Sequence, residues 1–366
     1  MAGKIVGRTW QALITVLAAS LLVSCSGASD PELKSTPGAL PDEATVYAIA
    51  FGNDGRVIVG TGMDGVFVGK LNGRDFTVTQ HLSSDSEALL GPGVVRDVVW
   101  RGNEVLVVGA MGLTVFRDEG DGLSAVAHYD ESTSPALRGK NVTTVAQYGD
   151  LVLVGASPGG VTAGTLIAGS LQDVTYYHPN STPHLVEPRV TGIALDNTGS
   201  TAVISGHLGA GLDTAQLTNG EPSFASVTTL DKAPAIGNMV DDVAITGSSV
   251  VAVGRGGVVI GALRDGRLVI NNHYDHKNLK ALTGVPVVRV AISPDGQMVA
   301  LGEASGYVIV ARLTEQGSLV DATQYRHKPS TGGLPVQLHA VAFTPDGSTV
   351  LRGLSRGGLD FINIER

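Results

Sequence analysis

The chain has 366 residues, 43% of them hydrophobic and 16% charged, with a formal net charge of −9. No cluster of Lys and Arg stands out, which argues against nucleic acid as a partner and against electrostatic adhesion to anionic lipid. The 49 glycines and the scarcity of long amphipathic stretches exclude a helical protein. A single cysteine excludes an internal disulfide, so any core is stabilised by packing.

Lys4 and Arg8 precede an apolar run from Ala12 to Val23, broken only by Thr15 and Ser20, and no acidic residue occurs before Asp30. A basic start followed by an apolar run of this length reads as an export signal, and the run is shorter than the roughly 20 apolar residues of a membrane span. Leu22-Val23-Ser24-Cys25 resembles the bacterial lipobox. The resemblance implies cleavage after residue 24, a diacylglycerol on Cys25, and an extracytoplasmic chain anchored to a membrane by that lipid. Ser26 stands where an Asp often marks inner-membrane lipoproteins of Gram-negative bacteria, so the same resemblance points to the outer membrane in such a cell. Loss of Lys4 and Arg8 with the signal takes the net charge from −9 to −11. Residues 25–45 are rich in Ser, Pro, Ala and acidic side chains and read as a lipidated tether.

From residue 46 onward one unit recurs. It is centred on Ile49, Val98, Val145, Ile193, Val243, Val290 and Val341, at spacings of 49, 47, 48, 50, 47 and 51. Each centre is followed by a turn signal such as Asp54-Gly55 or Asp295-Gly296. A β-branched run then ends at a glycine (Gly60, Gly109, Gly155, Gly206, Gly254, Gly302, Gly353), and a second glycine opens a third run. Six units carry a fourth run, such as "FTVTQHL" and "RLVINNHYD". Four short strands per unit, seven times over residues 46–366, predict an all-β, seven-bladed β-propeller of four-stranded antiparallel blades. Leu40, Leu90, Leu137, Leu185, Ile236, Leu282 and Leu334 lie seven to nine residues ahead of the centres and read as apolar plugs between blades.

"ISPDGQMVALGEASGYVIVARL" and "FTPDGSTVLRGLSRGGLDFI" resemble the broad WD-repeat and YVTN-type propellers. The Gly-His and Trp-Asp marks of true WD repeats are missing, so the resemblance implies a fold and no chemistry. Unit seven stops after three strands, in "GGLDFINIER". A completing N-terminal strand would fall near Pro31, in a stretch of poor strand character, so closure is expected to be short or incomplete. The free edge could then accept a partner's strand.

Two motif matches dissolve in the repeat. "GTGMDG" (60–65) fits a dinucleotide fingerprint and "GASPG" (155–159) a nucleophile elbow, but both fall in strand-to-strand turns with no helix following. Inner strands of a propeller line its channel, so their first residues surround its mouth. Those residues are Tyr47, Arg96, Asp97, Asp241, Asp242, Arg289 and His339, and the neighbouring turns add Asp64, His207, Arg255, Glu303 and Arg356. This is the most chemically varied surface on the chain. Asp97, Asp241, Asp242 and Glu303 could hold a calcium ion, as in calcium-dependent propeller lactonases; the alternative is that these acids pair with the arginines. His81, His128, His178, His273, His276 and His327 fall near the ends of fourth strands and read as caps of the outer strand. Aromatics make up 5% of the chain, which disfavours a polysaccharide surface. The sequence therefore leads to a lipid-anchored scaffold that binds an envelope protein without a cofactor, with a calcium-dependent hydrolase as the alternative.

Overall fold

In the computed structural model the described residues are 40–41, 43–52, 54–87, 89–137, 141–180, 189–207, 211–218, 221–228, 239–327, 336–356 and 358–364. Cys25, the expected export signal, most of the expected tether and the expected plugs Leu185, Ile236 and Leu334 lie outside them.

The strands follow the repeat. Blade one is β1 (Val46–Phe51), β2 (Arg56–Thr61), β3 (Val66–Asn72) and β4 (Asp75–Leu82). Blade two is β5 (Val95–Arg101), β6 (Glu104–Gly109), β7 (Gly112–Asp118) and β8 (Leu123–Tyr129). Blade three is β9 (Val142–Tyr148), β10 (Leu151–Ala156), β11 (Gly160–Ile167) and β12 (Ser170–Tyr177). Blade four is β13 (Val190–Leu195), β14 (Thr201–Gly206), β15 (Leu212–Thr218) and β16 (Glu221–Thr228). Blade five is β17 (Val240–Thr246), β18 (Ser249–Gly254), β19 (Gly257–Arg264) and β20 (Arg267–Tyr274). Blade six is β21 (Val287–Ile292), β22 (Met298–Glu303), β23 (Val308–Leu313) and β24 (Leu319–Tyr325). Blade seven has β25 (Leu338–Phe343), β26 (Thr349–Leu354) and β27 (Gly358–Asn363).

Every sheet is an antiparallel meander in chain order, four-stranded in six blades and three-stranded in the seventh. The all-β, seven-bladed expectation is met, including the short last blade. The first strands of successive blades are neighbours around the ring, and β25 lies beside β1 to close it.

A single blade cannot bury both its faces, so the core is divided into layers between blades. Seven apolar clusters fill the seven junctions. The one between blades five and six joins Val251, Val253, Val258 and Ile260 to Leu282, Val287, Val290, Val299 and Leu301. Second strands are covered on both faces and read as unbroken apolar runs; all six residues of β2 and of β14 are buried. Outer strands alternate instead, as in β20. The plugs Leu90, Leu137 and Leu282 are buried in their junctions, and Leu40 packs in the junction of blades seven and one. The glycine ending a second strand marks where the next blade docks. A Cβ on Gly60 would stand 2.4 Å from Val95 Cγ1, and one on Gly302 2.4 Å from Leu338 Cδ2.

Candidate functional site

The turns between second and third strands lie on the same face as the entries to the inner strands. One hydrogen bond shows this in all seven blades, donated by Gly62, Ala110, Ser157, His207, Arg255, Ala304 and Ser355 N–H. The acceptors are the carbonyls of Thr45, Val94, Asn141, Arg189, Met239, Pro286 and Gln337, at 2.8–3.3 Å. On the opposite face, aspartates cap their own turns: Ser200 N–H donates to Asp196 Oδ1 (2.8 Å) and Ser348 N–H to Asp346 Oδ1 (3.0 Å).

Each inner strand is bulged at its second residue. The register skips between Val46 and Ala48, Val95 and Asp97, Val142 and Thr144, Val190 and Gly192, Val240 and Asp242, Val287 and Arg289, and Leu338 and Ala340. A bulge leaves one residue unpaired and re-aims its side chain. Here the extra residues are Tyr47, Arg96, Thr143, Thr191, Asp241, Val288 and His339, and of the residues after them Asp97, Thr144, Asp242 and Arg289 line one cavity.

These two rows of side chains tie each blade to the next. Arg96 lies over the Tyr47 ring, with Cζ 5.5 Å from its centroid, joining blades two and one. Asp97 spans blades two and three: Oδ2 accepts from Thr144 Oγ1 (2.9 Å) and Val145 N–H (3.0 Å), and Oδ1 from Val98 N–H (2.8 Å). Thr143 Oγ1 donates to Val190 O (2.7 Å), and Thr191 Oγ1 to Val240 O (2.6 Å), joining blades three, four and five. Asp242 repeats the Asp97 pattern, accepting Val243 N–H at Oδ1 (2.9 Å) and Val290 N–H of blade six at Oδ2 (3.0 Å). Arg289 Nε donates to His339 O of blade seven (2.6 Å), and the His339 ring packs on Tyr47 with centroids 4.5 Å apart. Gly192 admits the Asp242 carboxylate; a Cβ there would stand 3.0 Å from Oδ1.

A cavity of about 180 Å³ opens among these groups, lined by Tyr47, Arg96, Asp97, Thr191, Asp242 and Arg289 with their neighbours. Its electrostatics are dominated by burial. Burial pushes the Asp97 carboxyl above the ordinary range, against hydrogen bonds from Val145, Thr144 and Val98 and the charge of Arg289. Burial likewise pushes Asp242 up to about 6, with Arg289 and two backbone N–H groups opposing and the Asp97 charge adding to it. His339 is pushed down to about 4 by burial and by the nearby Arg289 and Arg96.

The other predicted residues lie away from this cavity. Asp241 faces His207, whose Nε2 is 3.1 Å from Oδ1. Glu303 is fully buried at the end of β22, where it accepts Thr283 N–H (2.7 Å) and Thr283 Oγ1 (2.8 Å); burial raises its pKa. Arg255 is exposed and borders a separate cavity of about 210 Å³ with His276 and Lys277. Arg356 is exposed in the β26–β27 turn. Asp64 is exposed, and its carbonyl is hydrogen-bonded by His81 Nε2 (2.6 Å). The four acids of the calcium alternative are thus divided among three environments. Among the described residues no three His, Cys, Asp or Glu side chains gather where they could share an ion.

Three of the six histidines near the outer strands occupy one recurring position, and His178, His276 and His327 lie beyond the ends of β12, β20 and β24. His81, His128 and His273 pair across from Phe67, Thr114 and Val259. His273 Nε2 bonds Gly256 O (2.8 Å) as His81 bonds Asp64 O, and His128 Nδ1 bonds Thr114 Oγ1 (3.0 Å). The hydroxyl of Tyr176 donates to Gly159 O at the equivalent place in blade three. Sequence reading missed Thr143 and Thr191. The signal was present: aligning "VRDVV", "VTTVA", "VTGIA" and "VDDVA" puts them in the column of Arg96 and Asp241.

The chain matches no family model and no curated protein.

Proposed function

We propose that this protein is a lipid-anchored, extracytoplasmic propeller that binds another protein of the cell envelope and catalyses no reaction. The observation that carries the proposal is the circuit of ties around the channel mouth. Asp97, Asp242 and Arg289, the charged groups best placed for chemistry, each use one polar atom to hold one blade to the next. The exposed cations Arg96, Arg255 and Arg356 remain directed at whatever approaches that face. A protein partner fits a broad rim of separated charges better than a small substrate does. The lipid on Cys25 supplies the anchor, and the outer membrane is its location if the cell is Gram-negative.

The test is a crosslinked pull-down of the lipidated protein from its own envelope, run beside an Arg96→Glu/Arg255→Glu/Arg356→Glu variant. All three side chains are exposed, and because Arg96 also lies over Tyr47 the variant is compared only where its melt matches that of the wild type. A stoichiometric partner captured by the wild type and lost in the variant is the expected result. Capture of the same partner by both would remove the channel face from the proposal. Absence of any partner, together with calcium-dependent hydrolysis of lactones by the purified protein, would replace it with the hydrolase.

A further inference from the structure

We propose that the outer edge of blade seven, beside which no described strand lies, is a second binding surface and takes an extended acidic segment of a partner protein as its fourth strand. In blades one to six a fourth strand covers the third. β27 pairs with β26 in an unbroken register from Thr349↔Asn363 to Leu354↔Gly358, and no described strand lies on its other side. In an antiparallel strand about half of the N–H and C=O groups point to each side, so β27 presents a row of both with no partner strand among the described residues. The usual protections of an edge are absent from Gly358–Asn363. It contains no Pro, no Lys and no bulge. Its one charge, Asp360, is held by Arg352, whose Nε lies 2.8 Å from Oδ2.

The space beside this edge is already walled. A cavity of about 860 Å³ runs along Leu359–Asn363, bounded by Gln324 to His327 of blade six and by Arg74 in the β3–β4 turn of blade one. A second cavity of about 350 Å³ shares Tyr325 and reaches Ile364; its charged lining of Asp295, Arg312 and Asp321 is mixed, so the cationic character belongs to the first cavity. Arg74 and Arg326 stand exposed on opposite rims, and neither forms an ion pair among the described residues. On a chain of net charge −9 such a locally cationic slot selects acidic side chains. On the faces of the sheet, Leu359 and Phe361 pack toward blade one while Ile362 and Ile364 pack toward blade six. The outer strands of the complete blades alternate buried and exposed positions, as in β20, so the segment that fits here alternates apolar and acidic residues. The chain's own residues 27–39 are an alternative occupant. They include Gly27, Pro31, Pro37 and Gly38, which suit a strand poorly, so a partner's segment is the better occupant.

The probes are two labelled octapeptides added to the mature full-length chain, one alternating Val and Glu, the other Val and Lys. Binding is followed by fluorescence anisotropy and by amide hydrogen exchange over residues 349–364. The Glu peptide is expected to bind saturably and to slow exchange in β27 by roughly tenfold or more. An Arg74→Glu/Arg326→Glu variant with an unchanged melt is expected to weaken that binding by about tenfold. Equal binding of the two peptides, or no slowing of exchange by either, overturns the proposal. So does β27 exchange that is already slow in the free protein and quickens on deletion of residues 27–36, because the chain then fills its own edge. Protection that appears only at concentrations where the protein dimerises would assign the edge to a second copy.

Discussion

Asp242 offers a test of sign as well as size. Its carboxylate links blade five to blade six beside Arg289, and intuition makes such a charged tie favourable. Burial instead holds its pKa at about 6 against an ordinary 3.8, so the folded protein binds this proton more tightly than the unfolded chain does. Ionisation therefore opposes folding. No penalty exists below the unfolded value; it grows from there to the folded value and is complete above it. Integrated between pH 8 and pH 4, the shift is worth about 2 kcal/mol, most of it gained between pH 6 and pH 4. Asp242→Asn keeps the shape and cannot ionise. Urea unfolding of the two proteins at pH 4, 6 and 8 reads the effect together with its coupling to Asp97, because the carboxylates away from this pair are common to both. Asp346, held down to about 2 by hydrogen bonds from Thr344 and Ser348, is one that cancels. The stability of the wild type relative to the variant is expected to rise by about 2 kcal/mol from pH 8 to pH 4. A difference that is flat with pH, or that moves toward the variant in acid, would show that attraction to Arg289 outweighs burial and would refute the reasoning.

Three further outcomes follow from the packing. Thr143→Val and Thr191→Val preserve volume but leave Val190 O and Val240 O without their donors, and each should cost about 1–2 kcal/mol in urea unfolding. A cost near zero would mean that those ties are incidental. Gly302→Ala meets a movable Leu338 side chain at 2.4 Å, whereas Gly254→Ala meets the Met239 backbone carbonyl at 2.0 Å. The first should lose about 1–3 kcal/mol and the second more, read as an ordering of their melting temperatures. Arg352 is buried and bonded to Asp360, Gly306 O and Tyr325 O, so Arg352→Ala should destabilise by about 3 kcal/mol or more. Arg352→Met, which restores the volume, should not fully recover it, because Asp360 stays without its cation.

The ring was legible because its marks are chemical. Turn glycines such as Gly65 and Gly257 adopt positive φ (81° and 111°) and lie within 2.2 Å and 2.1 Å, measured from an ideal Cβ, of the fourth strand's carbonyls at Leu82 and Tyr274. Any side chain there is strained, so the glycines show in the sequence at the blade period. The short last blade was legible for the same reason, since a missing strand leaves a missing run. The bulges were not, because the skip between Val95 and Asp97 depends on which backbone groups pair and leaves the apolar pattern of "VRDVVW" unaltered. Without the bulges, Arg96 and Asp97 could not be sorted into one side chain exposed at the rim and one tied across a junction. Glu303 shows the other limit. Its position in a turn-facing column placed it beside the channel acids, but Thr283, twenty residues earlier, draws it inward, and no local pattern announces that bond.

Tyr47 gives this ring a place to open. Around the mouth, the junctions from blade two to blade seven are each fastened by a hydrogen bond, while the two junctions of blade one rest on its ring, under Arg96 and against His339. Blade one also adjoins the three-stranded blade, where the first and last parts of the propeller sequence meet. Away from the mouth the junction of blades one and two is also held by Arg56 to Asp118 and by Gln80 to Leu123, so heat or mechanical load should part the circle between blades seven and one and leave the remaining arc joined. The propeller is in this respect a bracelet with a clasp, and its weakest joint is the one that the chain makes last, when its final strands return to its first.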